Sequence, residues 1–318
     1  MARKLAPVKA DRVPAPASGR YPDARSFLHA LQDRICSELE FLDGSGSFRQ
    51  DLWSYSSGAG GGRTRILEDG AVLEKGGVNV SAIEGQFSEE FMREQRFGSR
   101  PFRATGISLV LHPVNPHVPT LHANFRFITC GERDAWFAGG VDMTPYYPYD
   151  EDISAFHAHL KALCDRHGQD FYARFKSACD TYFYLPHRGE TRGVGGLFFD
   201  ELREPFELHE ALWRDLAEGC LKAWTQIARR RRDTPYGERE RQWQEVRRGR
   251  YVEFNLMYDR GTAFGLKTGG RVESILMSLP PRVRWHYQFT PEPGSPEARL
   301  ADYLRPRDWL GEPGGPGK

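Results

Sequence analysis

With 318 residues, the chain is long enough for one large domain or two modest ones, with ample material for a buried core. Hydrophobic residues make up 39% and charged residues 27%, as in an ordinary globular protein, and a formal net charge of +1 gives no bulk attraction to nucleic acid or to a membrane surface. No apolar run reaches the roughly 18 residues of a membrane span, so none is expected. The five cysteines (Cys36, Cys130, Cys164, Cys179, Cys220) are odd in number and widely spaced, with no CxxC pair. Neither a disulfide framework nor a zinc ribbon is indicated, and scattered thiols fit a reducing compartment.

Residues 1–20 are rich in Pro, Ala and basic residues, lack an apolar signal stretch, and carry Pro7, Pro14 and Pro16, which oppose a presequence helix. A disordered tail is expected there, and a flexible one over 311–318, GEPGGPGK. From Tyr21 to Leu42 a 3.6-residue rhythm of Phe27, Leu28, Leu31, Ile35, Leu39 and Leu42 predicts a helix. The glycine-rich stretch 56–63 follows. Phosphate-cradling runs usually follow a strand and open a helix, whereas a strand follows here and the Walker lysine is missing. The run is therefore read as a mobile loop over a site. RILEDGAVLEKGGVNVSAIEG predicts a hairpin about Asp69 and Gly70.

GISLVLH and LHANFRFI alternate as strands do. Ile153, Phe156, Leu160 and Leu163 mark a helix entered through Asp150, Glu151 and Asp152, where carboxylates suit the helix dipole. QDFYARFKSACDTYFY predicts a second helix burying Phe171, Phe175, Cys179 and Tyr182. Glu207–Arg229 and Glu238–Arg247 read as further helices, with Arg229 to Arg232 as a solvated helix end. YVEFNLM reads as a strand, Asp259 to Gly261 as a turn, and RVESILMSLPP as another strand. Strands and helices do not alternate regularly. The fold class is therefore α+β, a large and mostly antiparallel sheet flanked by helices, in a single domain over 21–310.

The stretch HPVNPHVPTLHANFRF raises a chemical question, because it crowds polar groups into two adjoining strands. Side chains alternate along a strand. Ser108, Val110 and His112 share one face, as do His122, Asn124 and Arg126, whereas Leu121, Ala123, Phe125 and Phe127 share the opposite, apolar face. If the strands pair, Ser108, His112, His122, Asn124 and Arg126 project together as one wall of a polar pocket. A wet sheet face is the alternative. His157 and His187 could join His112 and His122 around a divalent ion, or be satisfied structural groups; no HExxH or compact ligand spacing decides between them. Asp142, in GGVDMTP, is read as an acid held in a fixed turn between glycines and Pro145. Arg260 and Arg271 have glycine neighbours that permit close approach of a carboxylate.

EKGGVNVS, SLVLHPVNPHVPTLHANFRF, GGVDMTPYYP, YFYLPHRGETRGVGGLFFDEL, RRGRYVEFNLMYDRGTAFGL and GGRVESILMSLPP together resemble the oxygen-dependent coproporphyrinogen III oxidase family, in the family's order and over roughly residues 30–310. The resemblance implies oxidative decarboxylation of two propionates of coproporphyrinogen III to vinyl groups, giving protoporphyrinogen IX, CO2 and hydrogen peroxide in haem biosynthesis. It also implies O2 as co-substrate, no organic cofactor, a homodimer and, for a bacterial member, a cytoplasmic location. By motif, Ser108, Asn124, Phe125, Arg126, Gly269, Gly270 and Arg271 resemble substrate contacts, with Arg260 beside them. His122 resembles the proton donor and Asp142 the catalytic acid. His112, His122, His157 and His187 resemble the positions described as divalent-metal ligands. One departure is EDISAFHAH, with Ala155 where the family's first histidine stands and an additional His159; a shifted helix would bring His159 to the position of His157.

These residues suggest a division of labour. Arg126 and Arg271 would bind propionates, Asp142 would accept from pyrrole N–H groups, and His122 would move protons, since imidazole titrates near about 6.5. The glycine loop would close the site against water. A metal-dependent oxygenase and a tetrapyrrole carrier without chemistry are the two other readings.

Overall fold

A computed structural model of the chain describes residues 17–55, 60–86, 101–132, 134–267 and 270–311. The two expected tails therefore lie almost wholly outside the described residues, as do Gly269 and the first part of the 56–63 loop. A 3-10 turn, Ala17–Arg20, opens the described chain where the sequence suggested a disordered tail, and helix α1 (Tyr21–Asp43) follows it directly. It ends at Gly44, whose φ of 78° suits glycine. The Asp43 carboxylate accepts from the backbone N–H groups of Gly46, Ala71, Val72 and Leu73. The helix end is thereby tied to the turn of the first long hairpin.

Seven strands build the sheet: β1 (Arg49–Ser54), β2 (Gly60–Glu68), β3 (Leu73–Gln86), β4 (Pro101–Pro113), β5 (Thr120–Cys130), β6 (Asp134–Thr144) and β9 (Gly196–Leu202). The order is β1-β2-β3-β4-β5-β6-β9, antiparallel throughout. The hairpin about Asp69 and Gly70 is present, with Asp69 at φ 56°. Gly60, Gly61 and Gly62, however, pair with β3 inside β2, so this part of the expected loop is strand. Glycine suits it there: a Cβ on Gly61 would lie 2.2 Å from the Trp53 carbonyl oxygen.

Leu109, Leu121, Ala123, Phe125, Phe127, Val141 and Leu197 face the core. Over them pack α1, α2 (Asp150–Asp165), α3 (Phe171–Tyr182) and α4 (Phe206–Arg231). The basic run ending α4 is not simply solvated, because Arg230 and Arg231 pair with Asp152 and Arg231 lies over the Tyr149 ring.

The opposite face of the sheet is polar. One register row crosses it strand by strand as Asp51, Thr64, Asn79, Ser108, Asn124, Gly140 and Phe198. Helices α5 (Glu238–Met257), α6 (Arg260–Lys267) and α7 (Val272–Leu276) cover it. Two sequence expectations fail here. YVEFNLM is the end of α5, and RVESILMSLPP contributes α7, so neither is a strand. The short pair β7 (Tyr184–Leu185) and β8 (Glu190–Thr191) and helix α8 (Pro296–Arg299) complete the described elements beside short 3-10 turns. The architecture is α+β, with a large antiparallel sheet flanked by helices.

Candidate active site

Between the polar sheet face and its helical cover lies a cavity of about 400 Å³. Ser108, His122, Asn124 and Arg126 form its floor, as the alternation of β4 and β5 requires. Its roof comes from the end of α5, the following turn, α6 and α7.

Asp142 lies in β6 directly across from His122, with a strand register rather than the expected turn. Gly139 and Gly140 serve close strand approach instead: a Cβ on Gly140 would lie 2.5 Å from the Leu197 carbonyl oxygen. Asp142 Oδ1 is 2.7 Å from His122 Nδ1. A carboxylate only accepts, so the hydrogen bond places the imidazole proton on Nδ1 and leaves Nε2 as the exchangeable nitrogen. Asp142 also receives Arg192, with Nη2 at 2.7 Å from Oδ1 and 2.8 Å from Oδ2. Both side chains are 2% exposed. Burial raises the Asp142 carboxyl, but the charge of Arg192 and the bond from His122 outweigh it and hold the group below the ordinary carboxylate value.

Arg192 Nη1 donates to Asn255 Oδ1 at 2.8 Å. The guanidinium is 4.1, 4.5 and 4.8 Å from the ring centres of Phe183, Tyr251 and Phe254. Apolar walls and a fixed counter-charge make this corner rigid. Asp142 does not line the cavity and its oxygens are committed to Arg192 and His122, which argues against a direct role as pyrrole N–H acceptor. The carboxylate that does line the cavity close to His122 is Asp259. Its Oδ1 accepts from Tyr182, and its Oδ2 accepts from the backbone N and hydroxyl of Thr262. Burial raises the Asp259 carboxyl, and the Thr262 bonds with the charge of His122 and Arg126 bring it below the ordinary value.

Besides Arg192, three arginines border the cavity. Arg126 runs through a slot between Gly106 and Gly261, where a Cβ would come to 3.0 Å from its Cγ and 2.8 Å from its Nη2 respectively. Arg260 is held over Tyr182 and Phe198. Arg271 Nη2 donates to Asp51 Oδ2 at 2.5 Å, whereas its buried Nε meets no acceptor. A buried N–H of this kind is costly until an acceptor arrives. Gly270 also lines the cavity; Gly269 lies outside the described residues.

Other expected site residues are elsewhere. Phe125 faces the core, 1% exposed, with Phe199 6.4 Å away, so the parity of β5 removes its side chain from the cavity. The four histidines do not form one centre. His112 is fully buried, with Nε2 2.9 Å from the Ser278 carbonyl oxygen and Nδ1 3.3 Å from the Thr120 hydroxyl. Burial and the nearby charge of Arg248 push its pKa well below the ordinary value. His157 packs among the helices beyond the sheet, with Nδ1 on the Tyr172 hydroxyl and Nε2 on the Val194 carbonyl oxygen. Burial pushes its pKa down to about 3. The neighbouring His159 bonds to the Gly219 carbonyl oxygen. His187 is engaged by Glu253 and Tyr258. Among the described residues no group of three or more His, Cys, Asp or Glu is placed to hold a metal ion. These four side chains therefore do not fit a shared divalent ion, since each ring of His112, His157 and His187 has both nitrogens in protein hydrogen bonds.

Sequence reasoning missed Arg192 and Asn255 and read Asp259 only as a turn residue. The available signal was local: Arg192 follows RGET and precedes glycine in a long matching motif, and Asp259 adjoins Arg260 in another.

Arginines set for anionic groups, beside a histidine–carboxylate pair set for proton movement, suit acid–base chemistry on a ligand with several carboxylates. A model of the coproporphyrinogen III oxidase family matches residues 23–309, nearly the whole chain. The chain belongs to that family, which makes it an oxidoreductase-type enzyme of haem biosynthesis.

Proposed function

We propose that the protein oxidatively decarboxylates two propionates of coproporphyrinogen III, using O2, to give protoporphyrinogen IX. For each propionate, a C–H bond and the bond to the carboxylate break and a vinyl double bond forms. One CO2 leaves, and the two electrons and one proton released, with a second proton taken from solvent, reduce one O2 to hydrogen peroxide. The electrons come from the reduced tetrapyrrole itself.

The observation that carries this reading is the setting of Asp259 in the cavity, with Arg126, Arg260 and Arg271 around it and the His122–Asp142–Arg192 cluster beside it. The arginines bind propionates, each charge-assisted contact contributing about 1.5–3 kcal/mol. Asp259 accepts from a pyrrole N–H group through its one remaining acceptor direction, and Ser108 and Asn124 complete the polar floor. His122 exchanges protons through Nε2, its orientation and tautomer set by Asp142. We assign a homodimeric state and a cytoplasmic setting; the five buried free cysteines support a reducing compartment, and no helix among the described residues is long and apolar enough to cross a membrane.

The test is product analysis. Purified protein, treated with chelator and assayed for metal, is incubated with coproporphyrinogen III with and without O2. Divinyl product formed only with O2 supports the reading, and activity restored only by added metal would add a metal requirement. Binding without product would replace the oxidase by a carrier.

A further inference from the structure

Tyr182 stands where α3 ends, against the cavity wall. Its ring lies 4.2 Å from that of Phe198, at 9° between planes. Phe183 meets it edge-on at 4.8 Å and Phe254 at 5.8 Å. Three aromatic neighbours from α5, β9 and the end of α3 leave the ring little freedom to turn.

Its hydroxyl makes two bonds to adjacent residues of the turn between α5 and α6. It lies 2.9 Å from Asp259 Oδ1, and it accepts from the Arg260 backbone N at 3.2 Å. A hydroxyl has one proton. Because Arg260 N–H donates, that proton goes to Asp259. The arrangement is thus directional, running from Arg260 N–H through Tyr182 to the carboxylate. The Arg260 guanidinium meanwhile lies 5.0 Å from the Tyr182 ring centre and 5.7 Å from that of Phe198. The aromatic platform lies under the cation, whose Nη2 is also 3.9 Å from Asp200 Oδ2, and one hydroxyl holds the neighbouring anion.

Asp259 is fixed from its other side by Thr262, whose backbone N and hydroxyl lie 2.7 and 2.8 Å from Oδ2. An ionised carboxylate offers about four acceptor directions, and three are thereby taken. One acceptor direction, on Oδ1, remains on a carboxylate that lines the cavity together with Arg260. His122 and Arg126 from β5 and Arg192 from the β8–β9 connection also act on this carboxylate or its partners electrostatically.

We propose that Tyr182 is a positioning residue of the reaction: its hydroxyl sets the orientation of the Asp259 carboxylate and its ring sets the direction of the Arg260 guanidinium, so that acceptor and cation meet the tetrapyrrole as a fixed pair. This rests on the reading of Asp259 as the ligand-facing acceptor. The two functions of the side chain separate by substitution. Tyr182→Phe keeps the ring and removes the hydroxyl, whereas Tyr182→Leu removes both.

Steady-state kinetics of the full chain with coproporphyrinogen III and O2 decide it, with thermal unfolding measured alongside. Tyr182→Phe is expected to lower kcat by about tenfold, the loss of one hydrogen bond to a charged group, with KM within about twofold. Tyr182→Leu is expected also to raise KM by about threefold, the loss of the cation–ring contact. Tyr182→Phe carries the test on its own should Tyr182→Leu not fold. Wild-type kcat in Tyr182→Phe overturns the proposal, as does a fall in kcat matched by a rise in KM and a lowered Tm, the pattern of general loosening. Asp259→Asn is run in parallel. If it lowers kcat while Tyr182→Phe does not, the positioning role alone is lost. If Asp259→Asn turns over normally, the assignment of Asp259 falls and takes the Tyr182 role with it.

Discussion

Arg192, which lines the cavity, makes a double contact with Asp142 behind it, with both charges removed from water. Such a pair is weak evidence for net stability but strong evidence of mutual dependence, because removing either partner leaves the other charge buried and uncompensated. Arg192→Ala and Asp142→Ala are each expected to destabilise the fold by about 3–5 kcal/mol. The double substitution is expected to cost clearly less than the sum, by at least about 1 kcal/mol. Urea unfolding of the four proteins measures this, and strict additivity would mean that the contact does not couple the residues.

Asp51 holds Arg271 in an ion pair, and on the proposed function it would compete with a substrate propionate for that guanidinium. Their ion pair is about one-third exposed on each side, so it contributes no more than about 1 kcal/mol. Asp51→Asn is expected to free the guanidinium and lower KM for coproporphyrinogen III by up to about fivefold, with kcat nearly unchanged. Arg271→Ala is expected to raise KM by tenfold or more on the scale of a charge-assisted bond. A higher KM in Asp51→Asn would instead make the pair a support for the site.

Acid is expected to weaken the protein in two stages. His157 is buried neutral, with its pKa pushed down to about 3. Between the unfolded value near about 6.5 and that lower value, the unfolded chain binds the additional proton, so stability falls as pH falls through this window. Asp43 is held to about 2, because four backbone N–H bonds outweigh the effect of burial. Its contribution is complete above the unfolded carboxyl value of about 3.9 and is lost as pH falls toward 2. Chemical unfolding from pH 8 to pH 2 should give both slopes, each group contributing at most about 1.4 kcal/mol per pH unit. His157→Gln should flatten the upper slope and Asp43→Asn the lower one. Unchanged slopes would remove these groups as the cause.

His157→Gln also tests the metal assignment. Loss of two buried hydrogen bonds is expected to cost about 1–3 kcal/mol in stability. Metal content after equal exposure is expected to match that of the wild type, measured by elemental analysis of the folded protein. A stoichiometric loss of metal in this variant would mean that the ion draws His157 out of its bonds to Tyr172 and Val194.

The sheet was legible because alternation survives in strands with one apolar face. Leu121, Ala123, Phe125 and Phe127 against His122, Asn124 and Arg126 gave both the strand and the floor of the cavity. The cover was not legible. Helix α5 buries Arg247, Arg248, Tyr251, Val252 and Asn255, a charged and aromatic face without a helical hydrophobic rhythm, and Tyr251-Val252 favours a strand locally. Its helical state comes from tertiary pins. Arg248 reaches Glu74 and the Pro113 carbonyl oxygen, and Asn255 reaches Arg192. Arg192 was legible only through its place in the RGETRGVGG motif, because its partner Asp142 lies 50 positions earlier and no local pattern encodes that meeting.

The five strands β2 to β6 neighbour one another in space in the order in which the chain makes them. Contacts of this kind close short loops and form early. The floor of the cavity is therefore set by the first half of the chain, whereas its roof, from Asn255 to Ser278, reaches back to strands laid down well before it. A ligand clasped between the two adds its binding energy to the later closure, by about 2.7 kcal/mol at one hundred times its Kd. Backbone amides of the roof should accordingly slow their hydrogen exchange on substrate binding far more than those of the sheet. On the proposed function the site would in this sense be finished by its own substrate.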